Sequence, residues 1–483
     1  MSEMYSTTSK FNVFMWTTYD IANTVFSMGI VSMTVLQYGT LLGMLNGFDY
    51  SLSYLLASMA VAISTLIVAI TIPVMGTIAD NNGKGKPGTI LFGSLTILFT
   101  GIVFLLNNIF IALFCFILAN IFYQWGNLFY DTMIPRICED KDKGWVSAVG
   151  VALGYFGSFF AVIFNFAAIA FFSEAVDLPD NIGAIAPADY ETAIGVPRSE
   201  WIGHLNEMWL LCALGFLLIA LPFLLAKERA GKNRLAEVGF RTLLGSAISE
   251  TVDTAKEVWN YKDMRWFVLG WFFAVDVVQT IINIMKPAAV EGFGMDETTA
   301  TILLLVGVVF AVLLTGIAGP IADRKGPKFL AKIVGVVWLV ALAIPIFADS
   351  FDATASANLP VFLKILPNFT VFLMAILVGF GMGSIWVVQR TMTIELAPPE
   401  KIGRYFGFSK LAGKGSSAFG ILLFGGVISF FASAQGFGSN ALAYKIGIFA
   451  LLVMFVIGFS FFMMIKDRHQ DYVAGIRAPY NQE

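Results

Sequence analysis

Long apolar runs alternate with short polar connections along almost the whole chain. Twelve of these runs are long enough to cross a hydrocarbon core of about 30 Å as helices, which takes about 20 residues each. They cover residues 13–42, 52–78, 89–106, 109–133, 146–172, 208–225, 266–285, 299–321, 330–347, 371–393, 404–431 and 443–465. The pattern predicts an all-α membrane protein with twelve transmembrane helices.

Composition agrees with this interpretation. Hydrophobic residues make up 58% of the 483 residues and charged residues 13%, whereas soluble proteins average about 25% charged residues. The first run is too long for a cleavable signal peptide and contains Asp20, so we expect it to stay in the mature protein. A multi-pass integral membrane protein is predicted, in the inner cell membrane if the source is prokaryotic, and the net charge gives no reason to expect nucleic acid as a partner.

The distribution of lysine and arginine predicts the orientation, because these residues resist translocation. Most of the 30 basic residues face the cytoplasm when both termini do, and the acidic loop 173–206 then lies outside. The predicted organisation is an N-terminal six-helix bundle (1–226), a cytoplasmic linker with an interfacial helix (227–263), a C-terminal six-helix bundle (264–466) and a cytoplasmic tail (467–483).

A repeated stretch relates the two halves. GTIADNNGKGKPG begins at Gly76 and GPIADRKGPKF at Gly319, each at the inner end of the second helix of its half. The first helix of each half also carries Asp-x-x-(Asn or Gln)-Thr, beginning at Asp20 and at Asp276. The same inward orientation in both copies predicts a parallel repeat about an axis along the membrane normal, which is the arrangement of major facilitator halves.

The repeated loop must reverse direction at the membrane surface, which requires glycines that tolerate positive φ or close backbone approach. In this loop the chain resembles the major facilitator superfamily, and the resemblance implies that Asp80 locks an inner gate near Gly403, where a helix start favours an anion. Asn81 replaces the family's usual arginine, so we expect a weaker lock at the first copy. The implied gate residues are Gly76, Asp80, Gly83, Lys84, Gly319, Asp323, Arg324 and Gly326.

A narrower resemblance lies in three stretches. WTTYDIANTVF from Trp16, FYDTMIPRICEDKDKGWVSAVGVALGYFGS from Phe129 and APPEKIGRYFGFSKLAGKGSSAFG from Ala397 are similar to the autophagy-related, vacuole effluxer-like branch of the superfamily. That resemblance implies amino-acid efflux.

Polar residues inside the predicted helices point to a cavity, because an ionisable residue at a helix centre costs about 2.5–3.5 kcal/mol. The first, fourth, seventh and tenth helices carry polar stripes at helical spacing, and the eleventh carries two lysines one turn apart that require an anionic partner. A lysine near Lys414 recurs in the effluxer-like branch. Structural ion pairs (Asp131 with Arg136, Arg390 with Glu395) and snorkelling of Lys286 are the alternatives. The predicted substrate-binding residues are Asp20, Asn23, Gln124, Asn127, Asp131, Asp276, Gln279, Asn283, Lys286, Arg390, Lys410 and Lys414.

These features predict a secondary transporter that moves a small polar solute, amino-acid-like or carboxylate-bearing, by alternating access. Protonation of Asp20 or Asp276 would couple transport to a proton gradient, although a uniporter is also open. The alternatives are a cation-coupled sugar symporter, with sodium at the aspartates and with Trp16, Tyr19 and Tyr130 stacked on sugar rings, and a polytopic receptor or membrane enzyme.

Other chemistry is not indicated. The two histidines are predicted in loops, which argues against a histidine-based enzyme or metal centre. The three cysteines lie at unrelated depths and indicate no disulfide framework. We expect no enzymatic activity, no cofactor and no metal, and a monomer that contacts membrane lipid, its solute and a coupling proton or sodium ion.

Overall fold

A computed structural model describes residues 8–171, 178–179, 182–231, 240–295, 297–347, 369–416, 419–433 and 440–478. Within these residues the regular structure is helical. Ten helices are long and apolar enough to cross a membrane, or eleven when one bent pair counts as a single span. The prediction of an all-α membrane protein is confirmed, and helices are present at all twelve predicted spans, which we number from first to twelfth.

The first six spans are formed by the following helices. They are Lys10–Val25 continued by the π-helical segment Phe26–Ser32 and by Val35–Leu45, then Tyr50–Asn82, Lys86–Val103, Ile109–Asp131, the pair Lys143–Gly154 and Phe156–Phe171, and Gly203–Ala220 with the 3₁₀ turn Leu221–Leu225. Shorter turns and helices join them at Ile134–Ile137, Asp140–Asp142, Ile182–Ala184, Pro187–Asp189, Tyr190–Ile194 and Arg198–Glu200.

The linker helix and the last six spans follow. They are Phe240–Asn260, Lys262–Pro287 continued by the π-helical segment Ala288–Gly292, Glu297–Lys325, Pro327–Phe347, Phe369–Leu396, the pair Ile402–Ser416 and Phe419–Ser433, Asn440–Met464, and the short tail helix His469–Val473. Residues 417 and 418, between the two helices of the eleventh span, lie outside the described part of the chain.

The first span of each half departs from regular α-helix in its C-terminal part. In the first span the helices Lys10–Ser32 and Val35–Leu45 meet at a bend of 45°, and the Thr34 hydroxyl donates to the Gly29 carbonyl, five residues back. In the seventh span the α-helix ends at Pro287, the Ala288 amide donates to the Ile284 and Met285 carbonyls, and the segment from Ala288 to Gly292 is π-helical. Single π-helical turns are frequent at functional sites.

The chain divides into two compact units. The first comprises Met1–Met75, Asn81–Ile137 and Leu153–Glu237, and the second comprises Gly76–Asp80, Cys138–Ala152 and Val238–Glu483. Two short segments from the first half of the sequence therefore pack with the second unit: one near the C-terminal end of the second span and one at the start of the fifth. The four-part organisation expected from the sequence stays a prediction.

A helix, Phe240–Asn260, lies in the stretch where the linker helix was expected, and its two faces differ. Its role as a linker stays a prediction. One face bonds to the second unit: Glu250 pairs with Arg404, and the Glu257 carboxylate lies 2.6 Å from the Lys401 ammonium. The opposite face exposes Ile248 and Val252. An exposed apolar face beside charged residues is typical of an interfacial helix, and this position in the membrane stays a prediction.

Candidate functional site

Three of the predicted site residues in the first unit are in direct contact. The Asn23 side-chain amide donates to Asp20 Oδ1 at 3.2 Å and to Asn127 Oδ1 at 2.9 Å. Asp20 and Asn23 are buried. The Asp20 carboxyl also faces Gly154, where a Cβ would lie 3.4 Å from Asp20 Cγ. The first and fourth spans thus form one polar cluster that faces the break between the two helices of the fifth span.

Tyr123 belongs to this cluster and was missed from the sequence. Its hydroxyl hydrogen-bonds Ser27 and Asn127, and it lies within electrostatic range of Asp20 and Asp131. The signal was available, because Tyr123 precedes Asn127 by one helical turn, but a tyrosine in an apolar run was not counted with the polar stripe. Of the other predicted residues here, Asp131 is buried and Gln124 is half-buried.

The three aromatic residues considered for the alternative sugar symporter pack against one another. The Trp16 and Tyr130 rings stack with centroids 4.3 Å apart, and Tyr19 lies 5.2 Å from Tyr130 and 5.2 Å from Phe223. All three are buried. They fill the interior of the first unit, so their faces are already occupied.

In the second unit Asp276 holds the start of a helix. Its Oδ2 atom accepts a hydrogen bond of 2.7 Å from the Gly420 amide, one residue into the helix Phe419–Ser433. A carboxylate is favoured there because the first amides of a helix lack partners and the dipole is positive at that end. Asp276 Oδ1 and Thr280 Oγ1 are buried without a hydrogen-bond partner among the described residues.

An aspartate faces a glycine of a neighbouring span in both halves. The aspartate of the first span faces Gly154 in the fifth span, and the aspartate of the seventh span faces Gly420 in the eleventh span. A side chain at Gly420 would collide with Thr280, whereas a Cβ at Gly154 would make ordinary contact with Asp20. The sequence repeat predicted the aspartates but not the glycines that they face.

The predicted cations of the second unit differ in exposure. Arg390 is buried, while Lys410 and Lys414 are half-buried on the eleventh span. The tenth and eleventh spans are joined beside them by the Gln389 amide, which donates to the Ser409 hydroxyl at 3.1 Å. Gln279 is half-buried, Asn283 is exposed, and the side chain of Lys286 lies outside the described part.

The two copies of the repeated loop make equivalent contacts. Asp80 accepts hydrogen bonds from the Gly403 and Arg404 amides at 2.6 and 3.0 Å. Asp323 accepts them from the Gly144 and Trp145 amides at 2.6 and 2.7 Å. Each carboxylate caps the start of the eleventh or the fifth span. Asn81 leaves this contact in place, because Asp80 accepts two amide bonds just as Asp323 does.

Glycines permit these contacts in the two ways predicted. Gly83 and Gly326 have φ values of +68° and +86° at the loop reversals. A Cβ at Gly319 would lie 2.6 Å from the Gly144 carbonyl oxygen, and one at Gly76 would collide with the Gly403 carbonyl. The remaining loop residues of the predicted gate, Lys84 and Arg324, are exposed, and the gating role of the set stays a prediction.

A buried ion pair beside the second loop was also missed. The Lys143 ammonium lies 2.7 Å from Glu395 Oε1, and these side chains are only 2% and 4% exposed. His469 Nδ1 lies 2.8 Å from the same oxygen. From the sequence, His469 was expected in a loop and Arg390 was considered as the partner of Glu395. A pairing between distant parts of the chain leaves no periodic signal, so nothing in the sequence indicated it.

Comparison with known proteins agrees with this architecture. The profile of the family described as vacuole effluxer Atg22 like matches residues 51–471. The uncharacterized MFS-type transporter YxiO of Bacillus subtilis (strain 168) is 23% identical over 457 residues, which cover 94% of each chain.

Solved structures of the major facilitator superfamily share the fold. The transporter FucP in its outward conformation matches with a TM-score of 0.63 and 12% identity, over 95% of this chain and 98% of FucP. The proton:xylose symporter XylE bound to 6-bromo-6-deoxy-D-glucose matches with a TM-score of 0.60 and 16% identity, over 94% and 96% of the two chains. Because the family profile spans most of the sequence, the protein belongs to the vacuole effluxer Atg22-like family and is a major facilitator superfamily transporter.

Proposed function

We propose that the protein moves a small zwitterionic or carboxylate-bearing solute, such as an amino acid, by alternating access. Family membership gives the transport activity, and the charges of the predicted site residues in each unit support the solute class. The first unit offers the buried carboxylate and amides of Asp20, Asn23 and Asn127 for an ammonium group. The second offers the positive charges of Arg390, Lys410 and Lys414 for a carboxylate, with which a cation forms charge-assisted hydrogen bonds.

Proton coupling through Asp276 is the second part of the proposal. Its ionised carboxylate accepts the Gly420 amide at the start of a helix, and protonation would remove the charge that the helix start favours. The buried Oδ1 atom, which has no partner among the described residues, would carry the proton. Binding of a proton would thereby loosen the second helix of the eleventh span, the same span that carries Lys414.

A cation-coupled sugar symporter is the second candidate. It is favoured by the likeness to XylE, which is a proton:xylose symporter. The mutual stacking of Trp16, Tyr19 and Tyr130 in the interior of the first unit counts against it, because a sugar would have to displace one ring from another. Stabilisation of the purified protein by sugars alone would promote this candidate.

Lys414→Gln is expected to weaken binding of a carboxylate-bearing solute by about tenfold or more, since a charged hydrogen bond contributes about 1.5–3 kcal/mol. The solute is first selected by thermal-shift screening of the purified protein against amino acids, organic anions and sugars, and its Kd is then measured for both proteins. Lys256→Gln is the control, because that lysine is 71% exposed on the linker helix. Equal affinity in the Lys414 variant and the control would remove Lys414 from the site.

Asp276→Asn is expected to abolish solute movement driven by a pH gradient while leaving solute exchange without a gradient. Asparagine can still accept the Gly420 hydrogen bond but cannot titrate, so only the coupling is lost. Proteoliposomes measure both modes, with Asp20→Asn tested in parallel and Asp253→Asn, whose side chain is 65% exposed, as the control. Undiminished proton movement with solute in both buried variants would eliminate the two aspartates as proton carriers.

A further inference from the structure

The polypeptide beyond the twelfth span folds back onto the second unit. Its first residues are fastened to the start of the seventh span, where Asp263 accepts hydrogen bonds from the Lys466 amide at 2.9 Å and from Arg468 Nε at 3.3 Å. Its later residues contact the start of the fifth span through Tyr472 and the end of the tenth through His469. We call residues 466–478 the tail strap.

The tail strap covers the buried ion pair between the fifth and tenth spans. The Tyr472 ring lies over the Lys143 ammonium, with the nitrogen 3.4 Å from the ring centroid, and His469 Nδ1 lies 2.8 Å from Glu395 Oε1. Each partner of the ion pair is thus in contact with one tail side chain: Lys143 with Tyr472, and Glu395 with His469. A cation over an aromatic face and a second donor on the carboxylate both strengthen a desolvated pair.

A second set of contacts fixes the tail strap to the turn that precedes the fifth span. The Tyr472 hydroxyl donates to Asp140 Oδ1 at 2.9 Å, and burial raises the pKa of this hydroxyl, so it remains a donor. Arg477 pairs with the same carboxylate and stacks on the Tyr472 ring at 4.1 Å. The tail strap therefore contacts the turn at Asp140, just before the amides that bind Asp323, and also the end of the tenth span at Glu395.

These contacts matter for the repeated loop because Lys143 directly precedes Gly144. Separating the fifth span from Asp323 also requires separating Lys143 from Glu395. The free energy of separating two opposite charges is small in water and large in a dry site. By excluding water from the pair, the tail strap increases the cost of that separation.

We propose that the tail strap is a latch that keeps the start of the fifth span on Asp323 and Glu395, and that its release sets how readily this contact opens. The proposal concerns regulation and goes beyond solute movement. It requires no knowledge of the solute, since the opening of the contact can be measured directly.

Proton concentration would tune the latch through His469. Its hydrogen bond to Glu395 raises the pKa of His469 above the ordinary value of 6.5, against the opposing effects of burial and of the Lys143 charge. The backbone of Asp323 also raises this pKa, and Asp467 accepts the His469 amide. The latch is therefore fully held below pH 6.5, and it weakens as the pH rises through the higher pKa of the folded protein.

The native Cys138 provides the reporter, because it lies at the start of the segment Cys138–Ala152 and its side chain is buried. A Cys115→Ala/Cys212→Ala background leaves Cys138 as the only thiol. Deletion of residues 469–483, which keeps the Asp263 anchor, is expected to raise the maleimide labelling rate of Cys138 by about tenfold or more in nanodiscs, since charged hydrogen bonds are lost. An unchanged rate would overturn the proposal.

Full-length variants decide the question if the deletion does not fold. Tyr472→Ala is expected to label faster than Tyr472→Phe, which keeps the ring over Lys143, and Val473→Ala is the control because Val473 is 66% exposed. Equal rates in Tyr472→Ala and the control would overturn the latch. His469→Gln is expected to label faster than the full-length background at about pH 6 and equally at about pH 9, and a ratio that does not change with pH would remove the proton from the mechanism.

Discussion

Replacing Lys143 with methionine is expected to cost the conformation described here about 3–5 kcal/mol, the range found when one partner of a buried ion pair is removed. Glu395 is 4% exposed, so its carboxylate would remain in a dry site with His469 as the partner closest to it. Protonated His469 offsets part of this cost. The loss should therefore be smaller at low pH and should grow as the pH rises through the His469 pKa, which Glu395 holds above its usual range.

The free energy of unfolding in detergent and the labelling rate of Cys138 both report this cost, because opening the contact also returns Glu395 to water. Lys141→Met is the matched control, since Lys141 is 72% exposed two residues away and exposed ion pairs contribute about 0–1 kcal/mol. The double variant Lys143→Met/Glu395→Gln should recover most of the loss, because no unpaired charge is then left in the site. Equal losses in Lys143→Met and Lys141→Met would show that the pair contributes little.

Removing both capping carboxylates, by Asp80→Ala and Asp323→Ala, is expected to produce the second large effect. Each carboxylate accepts two amide hydrogen bonds at a helix start. A lost N-terminal cap costs about 1 kcal/mol, and the interaction with the helix dipole brings the total to about 2 kcal/mol in a partly buried site. The two contacts involve different residues at equivalent places, so their effects should add in the double variant.

Labelling of Cys138 measures this effect for Asp323→Ala, and a cysteine introduced at Thr77, which is buried beside Asp80, measures it for Asp80→Ala. Each single variant should label faster, and the double variant should label fastest at both positions. Asp253→Ala is the control because that carboxylate is 65% exposed on the linker helix. Labelling that stays at the control rate in both single variants would reject a gating role for the repeated loop.

The sequence indicated which polar residues share a helix face, because helical spacing is a local property. Asp20 and Asn23 lie three residues apart, which places them on one face of a helix, and their contact with Asn127 follows from a matching stripe on the fourth span. The sequence also left open a sugar-binding surface formed by aromatic residues of the first and fourth spans. A buried aromatic ring and a ligand-facing one have the same periodicity, and only the packing of Trp16 on Tyr130 distinguishes them.

By itself the sequence determined the helical membrane fold, the internal repeat and the need for glycine at the repeated loops. The bilayer imposes these features locally, since each span must satisfy its own backbone hydrogen bonds and a tight reversal requires positive φ. Only the tertiary structure decided that Asp276 accepts the Gly420 amide and that Lys143 pairs with Glu395, which is 252 residues away. Such pairings depend on which helix ends meet in the folded chain, and no periodicity along the sequence records that.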